Sequence, residues 1–140
     1  MAEDDEEANE RYILENFKVI AVVGCSRNVG KPSHDVPEYL QQHGYRIIPV
    51  NPFADEILGE KAYKSLLDIS GQKIDVVDVF RPAGEALQIA RDAVAIKARA
   101  LWLQEGIISE DAQKFAAEHG LRFVMNRCMM KEHYKLIDKV

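Results

Sequence analysis

The chain has 140 residues, of which 47% are hydrophobic and 29% charged, with a formal net charge of −5. That is the composition of one globular domain, large enough to bury a core without metal or disulfide staples. It excludes a helical membrane span, because no apolar run approaches the ~20 residues a bilayer requires. The acidic start is also the opposite of a basic, then apolar, signal peptide. Cys25 and Cys128 are the two cysteines and lie far apart, which argues against a secreted disulfide framework. A cytoplasmic protein with no membrane partner is the expectation.

Six acids and no bases fall in the first ten residues, leaving 17 acids and 18 bases in the other 130. Residues 1–10 therefore read as an acidic, mobile tail, and residues 11–140 as a nearly neutral folded domain. No dense Lys/Arg stripe marks a nucleic-acid footprint.

A helix through Tyr12, Ile13 and Phe17 is expected to pack on the outside. Val19-Ile20-Ala21-Val22-Val23 is a β-branched run that stops at Gly24, the pattern of a strand covered on both faces. The next helix runs to about His43 and ends at Gly44, a natural left-handed position. Pro37 complicates its start, which has two solutions: Ser33 caps it, with Pro37 early in the helix, or Asp35 does with Glu38 as capping-box partner. Arg46 to Val50 reads as the second strand, although Pro49 lacks the N–H a central strand needs. Ile74 to Phe80 gives a third strand, followed by a helix with Ala86, Ala90, Ala93 and Val94 at helical spacing. Ala100 to Leu103 is the fourth strand. Ser109 can cap a helix whose apolar positions are Ala112, Phe115 and Ala116 and whose end is Gly120. Leu121 to Met125 is the fifth strand, and a closing helix starts near Cys128. The alternation predicts an α/β fold: one doubly wound, five-stranded parallel sheet flanked by helices.

Ligands of such sheets bind outside the carboxyl ends of the strands. After the first strand comes Gly24-Cys25-Ser26-Arg27-Asn28-Val29-Gly30-Lys31-Pro32-Ser33. Glycines let the backbone approach a phosphate, the helix N-terminus offers N–H groups, and Arg27 and Lys31 add charge. The loop is not a Walker A motif, since five residues rather than four precede Gly30-Lys31 and Pro32 stands at the hydroxyl position. The dinucleotide fingerprint also fails: Ser26 and Val29 replace its later glycines, and Val50-Asn51-Pro52 carries no ribose-binding acid. The other strand ends add Arg81 and Arg127, for four cations against one acid, Glu105, which suits a polyanion. Phe80, Pro52 and the Asn51 amide offer a face and a polar edge for a planar base.

Five segments, in this order, resemble one family: Ala21 to Ser26, Pro49 to Pro52, Val79 to Pro82, Trp102 to Ile107 and Asn126 to His133. They are similar to the small stand-alone CoA-binding proteins and to the CoA-binding domain of the succinyl-CoA synthetase α subunit. The resemblance implies a Rossmann-like fold and bound coenzyme A or acyl-CoA as small-molecule partner. Gly24, Cys25, Ser26, Arg27, Lys31 and Ser33 would meet its phosphates, and Val50, Asn51 and Pro52 its nucleoside. Phe80 and Arg81 would lie along the ligand, with Gln104, Arg127 and Cys128 across the cleft. The 3′-phosphate of CoA would account for the cations and the missing ribose acid.

Ligation of CoA in the synthetase needs a second domain with a phosphorylated histidine and a nucleotide-binding subunit, and this chain is too short for either. His34 reads as a phosphate contact or surface residue, His43 and His119 as helix-terminal residues, Asp78 as a structural carboxylate, and Glu132 with His133 as too few ligands for a metal. No nucleophile–base–orienter set stands out, so binding without catalysis is expected. An oxidoreductase with an NADP-type dinucleotide is the alternative. A further one is a thiol-based redox sensor, in which Cys25 or Cys128 has a depressed pKa and forms a mixed disulfide with CoA. A homo-oligomer and a separate protein partner are both compatible with the sequence.

Overall fold

The computed structural model describes residues 4–138. The first helix, α1 (Asp5–Asn16), is capped by Asp4, whose side chain accepts the Glu7 N–H at 2.7 Å. Asp5, Glu6 and Glu7 place negative charge at the positive end of the helix dipole. The acidic stretch expected as a tail is thus, from Asp5 onward, the opening of a helix, with Glu10 buried at 2% exposure. Residues 1–3 of that expected tail lie outside the described residues.

The chain continues through β1 (Val19–Val23), α2 (Pro32–Gln42), β2 (Arg46–Val50) and a two-stranded hairpin, β3 (Glu56–Ile57) and β4 (Glu60–Lys61). Then come β5 (Val76–Val79), α3 (Ala86–Ala95), β6 (Ala100–Leu103), α4 (Glu110–Glu118), β7 (Arg122–Val124) and α5 (Met129–His133). A π-helical turn over Tyr134–Asp138 extends the last helix. Five strands form a sheet in the order β2-β1-β5-β6-β7, every pair parallel. Among the described residues no helix is long and apolar enough to cross a membrane.

Alternation along the strands divides the core into two layers. Ile20, Val22, Ile47 and Trp102 face α1, α2 and α5, meeting Ile13, Leu14, Leu40 and Met129. Ala21, Ile48, Val77, Leu101 and Leu103 face α3 and α4, meeting Ala86, Ala90, Ala93, Ala112 and Ala116. The alanines allow those helices to approach the sheet closely. Ser109 caps α4 as expected, accepting the Ala112 N–H at 3.1 Å.

Both prolines that strained the sequence reading have a local solution. β2 is an edge strand, and the Pro49 carbonyl faces outward to accept the Tyr63 N–H at 2.9 Å. The N–H that Pro49 lacks is therefore one that β1 does not need. α2 starts with Lys31 as its cap and Pro32 in the first helical position, so neither Ser33 nor Asp35 caps it. Pro37 cannot donate to the Ser33 carbonyl one turn back; that carbonyl instead accepts the Ser26 N–H at 3.0 Å. A helix defect thereby anchors the loop after β1.

Candidate functional site

The sheet reverses its winding between β1 and β5, and a cleft of about 620 Å³ opens at the carboxyl ends of β1, β2 and β5. Its size falls within the range of small-molecule and cofactor sites. Gly24 closes its inner end at φ +85, donating its N–H to the Val50 carbonyl at 3.0 Å. A Cβ there would stand 3.0 Å from the Phe80 carbonyl oxygen and 3.0 Å from Arg81 Cδ. Glycine is needed both for the backbone conformation and for the approach of the loop after β5.

Eleven of the fourteen expected residues line this cleft: Gly24, Cys25, Ser26, Arg27, Lys31, Ser33, Val50, Asn51, Pro52, Phe80 and Arg81. Ser26 Oγ accepts the Asn28 N–H at 3.0 Å and shapes the loop. Asp35 accepts the Gly30 N–H and pairs with His34 Nδ1, each at 3.1 Å, and these bonds hold its carboxyl below the ordinary range. His34 is buried rather than a surface residue. The first turn of α2 offers an anion less than expected. Pro32 has no N–H, and those of His34 and Asp35 go to the Lys31 carbonyl at 2.9 and 2.8 Å. Positive charge in the cleft comes mainly from side chains.

Arg27 and Lys31 are exposed and make no ion pair among the described residues. Arg81 is clasped by Glu85, with Nε to Oε1 at 3.1 Å and Nη2 to Oε2 at 2.8 Å. These bonds raise the guanidinium pKa and lower that of the carboxylate. Both groups are about half exposed, so the pair is worth little and an anion can compete for Arg81.

The Asn51 amide is not the free polar edge it was expected to be. Its Nδ2 donates to the Cys25 carbonyl at 2.9 Å and its Oδ1 accepts the Phe53 N–H at 2.7 Å. That turn leaves Phe53 at the cleft, 86% exposed, a better platform for a planar base than half-buried Phe80. Lys64 also lines the cleft, with Nζ 3.4 Å from the Pro52 carbonyl oxygen. Sequence reasoning missed both, since residues 53–73 carry no strong strand or helix pattern. The available signal was the Leu58-Gly59 turn between β3 and β4, where both residues take positive φ.

Three expected members are placed elsewhere. Gln104 is buried, donating Nε2 to Asp78 Oδ1 at 2.5 Å and accepting the Met129 N–H at 3.3 Å. Arg127 pairs with Glu6 at 3.1 Å, and its carbonyl accepts Trp102 Nε1–H at 2.9 Å. Cys128 is buried in the core against α5. Glu105, the one acid expected at the mouth, pairs with Lys131 at 2.9 Å; the acids lining the cleft are Glu85 and Asp92.

The thiols are not activated. Burial, reinforced by the nearby Asp78 charge, pushes the Cys25 pKa up to about 12. Burial also raises that of Cys128, outweighing hydrogen bonds from the Lys131 and Met130 backbone. The depressed pKa required of a redox sensor is found at neither. Burial likewise pushes Asp78 up to about 7, against the hydrogen bond from Gln104, and its Oδ2 has no hydrogen-bond partner among the described residues.

Sheet order and cleft position together define a Rossmann-like domain with a cation-lined cleft at its switch point. The family model described as a CoA binding domain matches residues 18–134, and the chain belongs to that family. An uncharacterized protein, YneT, of Bacillus subtilis (strain 168) is 40% identical over 123 residues, covering 88% of this chain and 90% of its own. A hypothetical protein from Pyrococcus horikoshii OT3 superposes with a TM-score of 0.90 at 39% identity, covering 98% of this chain and 99% of its own. The ADP-forming acetate–CoA ligase II of Archaeoglobus fulgidus is 32% identical over 117 residues, which are 75% of this chain but 17% of the ligase. The chain is thus similar to one region of a much larger ligase.

Proposed function

We propose that the chain binds coenzyme A or an acyl-CoA in the cleft at the ends of β1, β2 and β5 and carries out no chemistry on it. The carrying observation is that Arg27 and Lys31, free of ion pairs among the described residues, share that cleft with Lys64 and the exchangeable Arg81. Membership of the CoA-binding family supplies the ligand class. Three phosphates, one at the ribose and two in the pyrophosphate, match this donor set better than the two of NAD, and family membership favours CoA over NADP, which also has three. The Gly24–Ser33 loop would hold phosphate and Phe53 with Pro52 the adenine face, leaving the thiol arm to extend past Phe80. The protein acts as a CoA carrier or sensor in this reading.

Calorimetry with CoA, dephospho-CoA, NADP and NAD tests it. CoA should bind most tightly and NAD least; strong NADP binding without CoA binding would instead support the oxidoreductase. Lys31→Ala distinguishes the phosphates. A larger loss for CoA than for dephospho-CoA assigns Lys31 to the 3′-phosphate, and equal losses assign it to the pyrophosphate.

A further inference from the structure

α5 meets α2 through a cluster of rings. His133, 4% exposed, packs edge-on against Tyr39, Tyr45 and His43, with ring centroids 5.5, 5.5 and 5.2 Å away. Its Nδ1 lies 3.0 Å from the Tyr39 hydroxyl. That hydroxyl has no other acceptor among the described residues, so it donates, and His133 carries its proton on Nε2. Exposed His43 stacks on the Tyr39 ring at 4.0 Å and donates Nδ1–H to the Tyr39 carbonyl at 2.7 Å. Lys18 Nζ lies 4.6 Å over the Tyr45 ring, whose hydroxyl donates to the Leu14 carbonyl at 2.6 Å.

A proton on His133 would place charge in this buried space, beside Lys18 and beside a second histidine that also titrates in acid. Burial first, then His43 and Lys18, hold His133 below the ordinary histidine value of 6.5, with Asp138 of the π-helical turn acting the other way. Tyr134 and Asp138 also face Tyr39, and Glu15 of α1 faces Tyr45. The neighbouring acid of α5, Glu132, bonds Glu10 of α1 instead. A protonated Nδ1 is a donor, so the same proton removes the acceptor that Tyr39 needs.

This half of α2 holds more than α5. Two residues after Tyr39, Gln41 donates Nε2–H to the Leu58 carbonyl at 3.0 Å, in the turn between β3 and β4. The hairpin lies within the segment that brings Phe53 and Lys64 to the larger cleft. Pro37 leaves α2 without one internal bond, so residues 38–43 can shift while the first turn stays wound. We propose that α2 and α5 form an acid-released latch. With His133 neutral, the rings lock residues 38–43 and, through Gln41, the hairpin. When His133 and His43 take up protons, this half of α2 parts from α5 and the hairpin loosens at the rim of the cleft. The effect on ligand rests on the CoA reading; the latch itself does not.

Below pH 6.5 the opened segment binds a proton that the closed one excludes. Opening therefore grows as pH falls, by up to about tenfold per unit. Asp78 and Glu10 move global stability the opposite way, so the readout is local. Hydrogen exchange of the full chain at pH 5 and pH 7, corrected for intrinsic rate, and NMR titration of the His133 Cε1–H test the latch. Amides of residues 39–43 and 56–61 should open at least about fivefold more at pH 5, while those of β6 open no more. His133→Gln, whose oxygen accepts the Tyr39 hydroxyl at any pH, should abolish that increase. His43→Gln should move the His133 titration upward, and decides the matter should His133→Gln lose its fold. Equal opening at the two pH values, an increase that survives in His133→Gln, or a His133 titration unmoved by His43→Gln overturns the latch whether or not CoA binds. CoA should bind more weakly at pH 5.5 than at pH 7.5, by more in the natural chain than in His133→Gln, which carries the same ligand titration. Equal pH dependence in the two overturns the link to the cleft, whereas no CoA binding at either pH overturns the CoA reading alone.

Discussion

Gly24→Ala isolates the close approach that builds the cleft. Two costs act on an alanine there. The backbone at φ +85 is one that L-residues avoid, at roughly 1–2 kcal/mol. The new methyl would stand 3.0 Å from the Phe80 carbonyl oxygen, a backbone atom that cannot swing away, and overpacking of this kind adds roughly 1–3 kcal/mol. Gly30→Ala is the control, with φ +98 and nothing within 4 Å of the added carbon. It bears the backbone cost alone, and the alanine's smaller unfolded-state entropy offsets both variants equally. Urea unfolding should therefore place Gly24→Ala about 1–3 kcal/mol below Gly30→Ala at equal m-value. Equal losses, within about 0.5 kcal/mol, would show that the loop after β5 is not held against Gly24. The same substitution should weaken CoA binding, because relief of the contact displaces Phe80 and Arg81.

Stability should also depend on pH in an unusual direction. Asp78 and Glu10 are raised by burial to about 7 and about 8, so the folded protein retains protons that the unfolded chain has released. Stability is fully present below the ordinary carboxyl range and falls as pH rises through these values, by at most about 1.4 kcal/mol per unit for each group. Urea midpoints at pH 5, 6.5 and 8 check this, and Asp78→Asn should flatten the Asp78 part; a midpoint that rises with pH refutes it. Native protein at pH 8 should resist iodoacetamide at Cys25 and Cys128, with both modified after denaturation; rapid native labelling of Cys25 would contradict its burial. Trp102→Phe should cost roughly 1–3 kcal/mol, through the lost bond to the Arg127 carbonyl and the space left in the core, as read from thermal unfolding.

Much of the architecture is written in local pattern. The run Val19 to Val23 and the segment Ala100 to Leu103 are strands with the expected bounds, because β-branched and apolar runs between glycine-containing turns have few other solutions. Gly44 and Gly120 do end their helices at positive φ. The five-stranded parallel sheet follows from the alternation itself. The first loop was equally legible, since a glycine at the end of strand one is a property of chain order.

Long-range pairing was not. Gln104, Arg127 and Cys128 follow strands and so seemed to face the ligand, yet each is engaged elsewhere. Which way a residue turns after its strand depends on partners distant in sequence, Asp78 for Gln104 and Glu6 for Arg127. Lys64 and Phe53 enter the cleft only because a short hairpin carries the chain back across its rim. The acidic start looked like a solvated tail because six like charges repel in an extended chain. In the fold Asp4 caps, and Asp5, Glu6 and Glu7 open, a helix whose other face buries Ile13 and Leu14. Composition and periodicity determined the sheet and the Gly24 turn, since both follow from backbone preference and local burial. Only the tertiary structure decided which charges share the cleft, because charges are paired by proximity in space.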